Sequence, residues 1–253
     1  MRELFGCSLN GEEFLSIDPQ LYIQDIREQV KMTAETANRP GGGKRLTGGV
    51  SRDELTVTIL FMVKERNRAK RQDIISRVNR WATEGWLTVS TRPDQRLYVV
   101  RTQAADSAAF AWHEDMSIVF STYNGAEWQD RYPVSASITG ASGSASMIPR
   151  GTRDCPLDAD ITASGATVTS FTLTANGKQI AFSGLSIADG HTLHMYHDGL
   201  DLLHADVDGY AMLSHRTPAS HDEIPLIPAQ ANTVSFSADG ACAVKLYARG
   251  RYD

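Results

Sequence analysis

Residues 41–44, Gly-Gly-Gly-Lys, have the composition of a loop that binds phosphate. In a P-loop, glycine N–H groups surround the phosphate, the lysine reaches it, and a Ser or Thr follows the lysine at the start of a helix. The chain has Asn38 where the motif needs its first glycine and Arg45 where it needs the hydroxyl. The residues that follow predict a strand, so no helix N-terminus points at a ligand. Residues 38–49 are therefore predicted to form a flexible loop with a cationic tip.

Histidines suggest a second chemistry, metal binding, because six of the seven lie within residues 191–221 among many aspartates. His191, His194 and His197 fall in a segment that predicts a strand, and alternation puts His194 on the face opposite the other two. They therefore do not converge on one ion, and no HExxH-type ligand helix is present. A site assembled across loops stays open as an alternative, with the candidate ligands His204, Asp206, Asp208 and His215. The default expectation is that these histidines are exposed or hydrogen-bonded.

A basic run could bind nucleic acid, since residues 64–80 hold seven Lys or Arg against two acidic residues. Such sites combine positive charge with aromatic rings that stack on bases. Trp81, the nearest candidate ring, falls on the apolar side of the predicted helix. The run is therefore predicted to be a solvated helix face or a subunit contact, without specific nucleic-acid recognition.

Catalytic motifs are absent from the sequence. Ser, His and Asp are plentiful, but no GxSxG elbow or comparable nucleophile motif appears. We therefore expect no enzyme activity, and no cofactor or metal. The three cysteines, Cys7, Cys155 and Cys242, are too few and too scattered for a disulfide framework or a metal site, and each is expected to be a buried, inert thiol.

One segment of the chain predicts a strong helix. Ile74, Val78 and Trp81 recur at helical spacing and share one face, which predicts a packed helix over about residues 69–83. The opposite side is expected to carry Arg71, Arg77 and Arg80. Gly85 is expected to end the helix.

The other segments predict strands. LYIQDIREQVKM and DELTVTILFMVK alternate or are rich in β-branched residues on either side of the glycine loop. WLTVSTRPDQRLYVV predicts two strands around a turn at Arg92-Pro93-Asp94-Gln95, and MSIVFSTY and RYPVSASI predict two more. Further along, three hairpins are predicted at Asn176-Gly177, Asp198-Gly199 and Asp239-Gly240.

Length and charge favour two domains. The 253 residues allow one large domain or two small ones. Residues 1–137 carry 18 basic and 18 acidic residues, whereas residues 138–253 carry 7 and 12 and so account for the whole net charge of −5. The run TGASGSAS near residue 139 has the composition of a linker or a loose strand entry. The prediction is mainly β: an N-terminal β domain (1–137) with one packed α-helix, then a C-terminal antiparallel β-sandwich (138–253).

No apolar run is long enough to span a bilayer, so no membrane insertion is expected. Acidic residues stand near the N-terminus where a signal peptide needs an apolar stretch, so no export signal is expected. With few cysteines, these features predict synthesis in a reducing cytoplasm.

The order of these features resembles a known family. A helix ending in Trp81 precedes the hairpin WLTVSTRPDQRLYVV, and the chain closes with NTVSFSADGACAVKLYARGRYD, an Asn-x-x-x-Phe-Ser strand pair with a Tyr-x-Arg end. The tripeptide RGT, Arg150 to Thr152, stands where that family opens its second domain with an Asn-x-Gly-Thr-like stretch, and its first residue departs from that pattern. The pattern is similar to that of the distal tail (Dit) proteins of long, flexible-tailed bacteriophages, and spans nearly the full chain. The His-rich strand departs from the family's usual aspartate-containing segment.

This resemblance implies a structural virion protein and not an enzyme. It implies a galectin-like fold for the second domain and a homo-hexameric ring, closed by the first domain, at the distal end of the tail. The implied partners are the tail tube protein, the tail hub or tip protein and the tape measure protein, and the implied place is the virion tail tip after synthesis in the host bacterial cytoplasm. A long loop of the first domain is expected to reach the neighbouring subunit. The predicted interface residues are Arg39, Gly41, Gly42, Gly43, Lys44 and Arg45.

A second hypothesis is a carbohydrate-binding module that contacts the host surface. Sugar sites usually stack a ring on an exposed aromatic side chain. All four tryptophans lie before residue 138, which weakens this hypothesis. The aromatic candidates in the second half are Tyr196, Tyr210, Tyr247 and Tyr252.

Overall fold

The computed structural model describes residues 5–38, 44–105, 116–122 and 127–252, and for residues 32–38 and 44–53 it describes the backbone only. The chain divides into two compact units, Met1–Trp128 and Gln129–Asp253. In the described part, the first unit contains the one α-helix and the second has only strands and a 3-10 turn, which confirms the mainly-β fold class. No helix in the described ranges is long and apolar enough to cross a membrane.

An antiparallel sheet forms the first unit. Its strands are β1 (Cys7–Leu9), β2 (Glu12–Glu13), β3 (Leu21–Asn38), β4 (Lys44–Val63), β5 (Glu84–Val89), β6 (Arg92–Gln103) and β7 (Met116–Ser121). They lie in the order β2-β1-β5-β6-β7-β4-β3. A short strand, β8 (Trp128–Asp130), contains the boundary between the units.

One face of this sheet is the core of the first unit. Along β4 every second side chain is buried, because successive residues of a strand point to opposite faces. The buried residues of β4 are Leu55, Val57, Ile59, Phe61 and Val63. The ring of Phe14, in a 3-10 turn at Phe14–Ser16, packs edge-on against both Phe61 and Trp81. The strands predicted on either side of the glycine loop are thus confirmed.

The helix α1 (Arg68–Trp81) packs its apolar stripe inward. Its N-cap is Asn67, whose side chain accepts a hydrogen bond from the N–H of Lys70 at 3.2 Å. Ile74, Val78 and Trp81 are buried, as predicted. Arg71, predicted on the solvent side, is buried as well, because its guanidinium donates to the carbonyl of Glu65 at 3.2 Å.

Gly85 does not end the helix, contrary to the prediction. The helix stops at Trp81 with Ala82 in an extended conformation, and Gly85 is the second residue of β5. Its φ of +148° lies in the region that favours glycine, and a Cβ there would overlap the side chain of Asn10. The side chain of Asn10 in turn accepts from the N–H of Trp86 at 2.9 Å and donates to the carbonyl of Glu84 at 3.1 Å.

The hairpin of β5 and β6 turns earlier than predicted. Val89 pairs with Arg92, so the turn residues are Ser90 and Thr91. Arg92 to Gln95 already belong to β6. Pro93 is tolerated there because it is only the second residue of the strand.

A second antiparallel sheet forms the second unit. The strands of this unit are β9 (Val134–Met147), β10 (Cys155–Ala163), β11 (Val168–Ala175), β12 (Lys178–Ile187), β13 (Thr192–His197), β14 (Leu203–Val207), β15 (Tyr210–Ala211), β16 (Pro225–Leu226), β17 (Asn232–Ala248) and β18 (Arg251–Tyr252). The sheet order is β12-β11-β17-β10-β13-β14-β15, with β9 paired to β17 and β16 to β10, whereas β18 pairs with β8. β17 pairs with β11 through its first half and with β10 through its second half, and β9 accompanies it along both. The run TGASGSAS, predicted as a linker or strand entry, therefore lies inside the long strand β9.

Turn chemistry gives a different outcome for each predicted hairpin. Asn176 and Gly177 both have positive φ and join β11 to β12, as predicted. The hairpin of β13 and β14 also forms, but residues 198–202 make a longer turn because His197 pairs with Leu203. Asp239-Gly240 makes no hairpin, since β17 runs through it with a register shift between Ser237 and Cys242.

Asp239 has another role in this bend. Its carboxylate accepts hydrogen bonds from the hydroxyl and N–H of Thr169 and from the N–H of Ser170. These bonds, that of the Thr169 hydroxyl first, hold the pKa of Asp239 below its ordinary value. The aspartate thus ties the start of β11 to the bend of β17.

All three cysteines are buried free thiols, as predicted. Burial raises the pKa of Cys155 to about 12 and also raises the pKa of Cys7 and of Cys242 above their ordinary values. A thiol with a raised pKa is a poor nucleophile and a poor metal ligand.

Candidate functional site

The pair β3 and β4 extends past the rest of the first sheet. β7 pairs with β4 over residues 56–61, and the carbonyl of Leu55 accepts from the N–H of Thr122 at 3.0 Å. Beyond that point, from Lys31 opposite Glu54 to Asn38 opposite Lys44, the backbone pairing in the described ranges is between β3 and β4 alone. We call residues 31–38 and 44–54 the ribbon. At about 3.3 Å per residue it is roughly 25 Å long.

The ribbon contains part of the predicted interface. Lys44 and Arg45 are the first residues of β4, where they pair with Asn38 and Ala37. The other four candidates, Arg39, Gly41, Gly42 and Gly43, lie outside the described residues. Assignment of these residues to a subunit interface stays a prediction.

Residues 44–49 belong to a strand, so the prediction of a flexible loop over 38–49 is wrong for them. The register explains how glycines fit there. Ala34 pairs with Val50 and Thr36 with Leu46, so three residues of β4 lie opposite one residue of β3. Gly48 and Gly49 stand in this bulge, where the backbone departs from regular strand geometry. Glycines are common in loops and also in β-bulges, so the sequence pattern alone predicted a loop here.

Two strands without a third neighbour are only marginally stable in water. The ribbon is such a structure, and β3 is also an end strand of the sheet order. An end strand offers N–H and C=O groups to another chain. Val30, which leads into the ribbon, keeps 43% of its surface exposed. The sequence pattern placed Val30 in a strand but gave no sign that it stands at an open edge.

A second candidate site is the histidine cluster of the second unit. Four of its six histidine rings are each paired with one carboxylate. The Nδ1 atoms of His191, His194 and His197 lie 2.6, 2.7 and 2.9 Å from Asp208, Asp160 and Asp158, and Nε2 of His204 lies 2.8 Å from Asp198. The strand alternation predicted for His194 and His197 is observed, since the first side chain is half exposed and the second is 3% exposed.

These pairs are held by further bonds. Asp160 also accepts from the hydroxyl of Tyr247 at 2.9 Å, which together with burial raises the pKa of that hydroxyl. Burial alone would raise the pKa of Asp198, but hydrogen bonds from the N–H of Leu202, the ring of His204 and the N–H of Leu200 hold it below its ordinary value. Each of these two carboxylates is therefore hydrogen-bonded to a different histidine and to further groups of the second unit.

Metal binding was the alternative for this cluster. No group of three or more His, Cys, Asp or Glu side chains that could hold an ion occurs among the described residues. Of the four candidate ligands, His204 is bound to Asp198 and Asp208 to His191. The pairwise pattern uses the ring nitrogens one at a time and does not bring them to a common point.

The tyrosines of the second unit fall into two groups. The hydroxyls of Tyr247 and Tyr252 are bonded to Asp160 and Asp130, at 2.9 Å each. Tyr196 and Tyr210 are 43% and 74% exposed. The ring of Tyr196 stacks on that of His204, with centroids 5.2 Å apart.

Comparison with known structures identifies the fold. The chain aligns with the Dit (gp 19.1) protein of phage SPP1, described as a paradigm of the hub adsorption apparatus in phages that infect Gram-positive bacteria, with a TM-score of 0.65 and 14% identity over 98% of this chain and 99% of the other. It also aligns with a chain of the phage p2 baseplate in its activated conformation with Sr, with a TM-score of 0.50 and 8% identity over 97% of each. No family model and no curated protein matches the sequence. The fold is therefore that of the phage Dit hub proteins, as the sequence pattern predicted.

Proposed function

We propose that this protein is a structural subunit of the distal tip of a phage tail, where copies of it form a hexameric hub ring. The observation that carries the proposal is the alignment with the SPP1 Dit protein over nearly the whole of both chains. That alignment covers residues of both compact units. The proposed role is structural and not enzymatic.

The ribbon supports this proposal because it supplies a means of joining like subunits. A closed ring needs head-to-tail contacts, in which one surface of a subunit meets a different surface of the next. A projecting two-stranded ribbon gains stability when a neighbour covers it or adds a strand to it. Asn38 and Lys44 form the last described pair of the ribbon. We assign the contact with the neighbouring subunit to the predicted interface residues Arg39, Gly41, Gly42, Gly43, Lys44 and Arg45.

The hub would join the tail tube to the tip proteins. Its partners in this proposal are the tail tube protein, the tail hub or tip protein and the tape measure protein, and its place is the virion tail tip. The first unit forms the ring and the second, sandwich unit projects outward. Host synthesis in the bacterial cytoplasm fits three buried, unpaired cysteines.

Electron microscopy of the purified full chain tests the ring. Negative-stain images should show a six-fold particle, and light scattering should give six times the mass of 27.7 kDa. A monomer at the highest attainable concentration would overturn the proposal.

A variant without the ribbon tests how the ring closes. Lys31 and Glu54 are paired, so residues 32–53 can be replaced by Asn-Gly, which makes a two-residue hairpin turn between them. This variant keeps the three-stranded contact of β4 and should fold. We expect it to be a monomer by light scattering, and an unchanged hexamer would show that the ribbon does not join subunits.

A further inference from the structure

Exposed apolar side chains are concentrated in one segment of the second unit. Ten large hydrophobic residues of the described ranges are exposed, and five of them lie within residues 196–213: Tyr196, Leu200, Leu202, Tyr210 and Leu213. Leu202 and Tyr210 are 58% and 74% exposed. Single exposed hydrophobic residues need no explanation, but Leu202 and Leu213 line one groove, and exposed apolar side chains that share a groove mark an interaction surface.

The same segment is strongly acidic. Residues 196–223, which we call the acidic edge, contain six acidic residues and one arginine, a net charge of −5 with neutral histidines. That equals the net charge of the whole chain. Two of these carboxylates already have a cationic partner, Asp222 in Arg216 at 2.5 Å and Asp201 in Arg251, and the other four have none among the described lysines and arginines. A partner for this surface must therefore bring positive charge.

The acidic edge is concave as well as apolar. A groove of about 1150 Å³ is lined by Leu202, Leu213 and His204, by the carboxylates of Asp201, Asp222 and Glu223, and by the cations Lys178 and Arg216. The imidazole of His204 is fixed there by its bond to Asp198 and by the ring of Tyr196. Long side chains from a partner can place their aliphatic stems on the leucines and their charged ends near the carboxylates.

A surface with matching chemistry exists on the first unit. Residues 64–80, with helix α1 at their centre, contain seven basic and two acidic residues, a net charge of +5, and we call them the basic helix. Leu15 supplies an exposed apolar side chain near this helix, since it is 40% exposed. It follows Phe14, whose ring centroid lies 5.2 Å from that of Trp81 at the end of the helix. Arg71 is buried and Arg77 is paired with Asp18, but the remaining cations keep the basic helix positive. The two surfaces are therefore opposite in charge, and each offers an apolar contact.

We propose that the acidic edge of one copy of this protein docks on the basic helix of a neighbouring copy. The inference rests on the proposed assembly of like subunits and adds a second contact to it, separate from the ribbon. Two different surfaces of one chain that complement each other give the head-to-tail contact that a ring requires. Opposite charges fix the orientation of the subunits and speed their encounter.

Charge reversal and restoration test this contact in the full-length protein. One variant combines Asp206→Lys with Glu223→Lys, a second combines Lys70→Glu with Arg80→Glu, and a third carries all four changes. Sedimentation velocity over a range of concentrations measures association. We expect each of the first two variants, which change one surface only, to associate about tenfold more weakly or worse. The variant with all four changes should recover most of this loss, because opposite charges face each other again.

Asp154→Lys is the matched control, since Asp154 is an exposed acid of the second unit outside the acidic edge. It should leave association unchanged, and circular dichroism should show that all variants are folded. The contact would be overturned if the variants that change one surface only associate like the unaltered protein. It would also be overturned if the variant with all four changes associates no better than either of them. Neither result would contradict the ring itself. An unaltered protein that stays monomeric would overturn the ring itself.

Discussion

Val30 and Leu55 are paired across β3 and β4, yet Val30 is 43% exposed and Leu55 is 1% exposed. Residues paired across a sheet share a face, so the difference marks the place where the core of the first unit ends. Leu55 still reaches the core because β7 lies beside β4, whereas Val30 is on an end strand. The first prediction follows from this contrast.

Val30→Ser should leave the free energy of unfolding within about 0.5 kcal/mol of its original value, because the side chain is largely exposed already. It should nevertheless weaken association, since an exposed apolar residue at the start of the ribbon gains most from a neighbour. Urea denaturation and sedimentation velocity measure the two effects. Leu55→Ala gives the contrast: it should cost about 2 to 5 kcal/mol of stability. A large loss of stability in Val30→Ser would show that this side chain belongs to the core of the subunit.

Asp18 should make the stability of the first unit depend on pH. Burial alone would raise the pKa of its carboxyl, but the N–H of Gln20 and the guanidinium of Arg77, 2.5 Å away, hold that pKa below its ordinary value. A lowered pKa in the folded state means that the stabilisation is present above the ordinary pKa of about 3.8 and is lost as the pH falls through the folded value.

Asp18→Asn should therefore destabilise the protein by about 1 kcal/mol at pH 7, and by less as the pH falls below about 4. Urea denaturation at several pH values measures the difference between the two proteins. Asp94→Asn, at an exposed position near the start of β6, is the control and should show no such difference. A gap that stays constant down to pH 2 would contradict the role of the ion pair.

Asn232 should be among the most important polar residues of the second unit. It is 1% exposed, and its side-chain amide donates to the carbonyls of Ile227 and Gln230 at 2.8 and 2.9 Å and accepts from the N–H of Ile227 at 2.9 Å. Removing it leaves buried backbone groups without partners. Asn232→Ala is expected to cost about 2 to 4 kcal/mol by urea denaturation, whereas Thr233→Ala, at the exposed neighbouring position, should cost much less.

Gly85→Ala should destabilise the first unit for two separable reasons. The added Cβ meets the side chain of Asn10, and the φ of +148° is strained for any other residue. In an Asn10→Ala background the collision disappears but the strain remains. The cost of Gly85→Ala should thus fall in that background without reaching zero, as a double-mutant cycle of unfolding free energies would measure. Equal costs in both backgrounds would show that the collision contributes nothing.

Local sequence patterns predicted which segments form strands and the helix better than they predicted where these segments begin and end. The alternation in DELTVTILFMVK and the helical spacing of Ile74 and Val78 each reflect one buried face, and both are observed. Asn176-Gly177 also acts as predicted, because both residues adopt positive φ. Asp239-Gly240 does not, because its aspartate is bonded to Thr169 in a distant strand. That partner is a property of the tertiary structure.

The candidate sites show the same limit. A run of glycines and cations could be recognised around residue 44, but its place at the end of a ribbon depends on the register between β3 and β4. The histidines were recognised as hydrogen-bonded residues, but their individual aspartates come from β10 and from turns far along the chain. The acidic edge was visible only as an uneven charge between the halves of the sequence.

The bend of β17 has a mechanical consequence. Because β17 pairs with β9 along both of its halves, and with β11 through the first and β10 through the second, the two sides of this sheet cannot be separated without breaking hydrogen bonds along β17. Tension applied to the second unit would therefore be shared by all of these hydrogen bonds at once, and they would not break one after another. We expect this unit to resist stretching as a single body and to give way in one step.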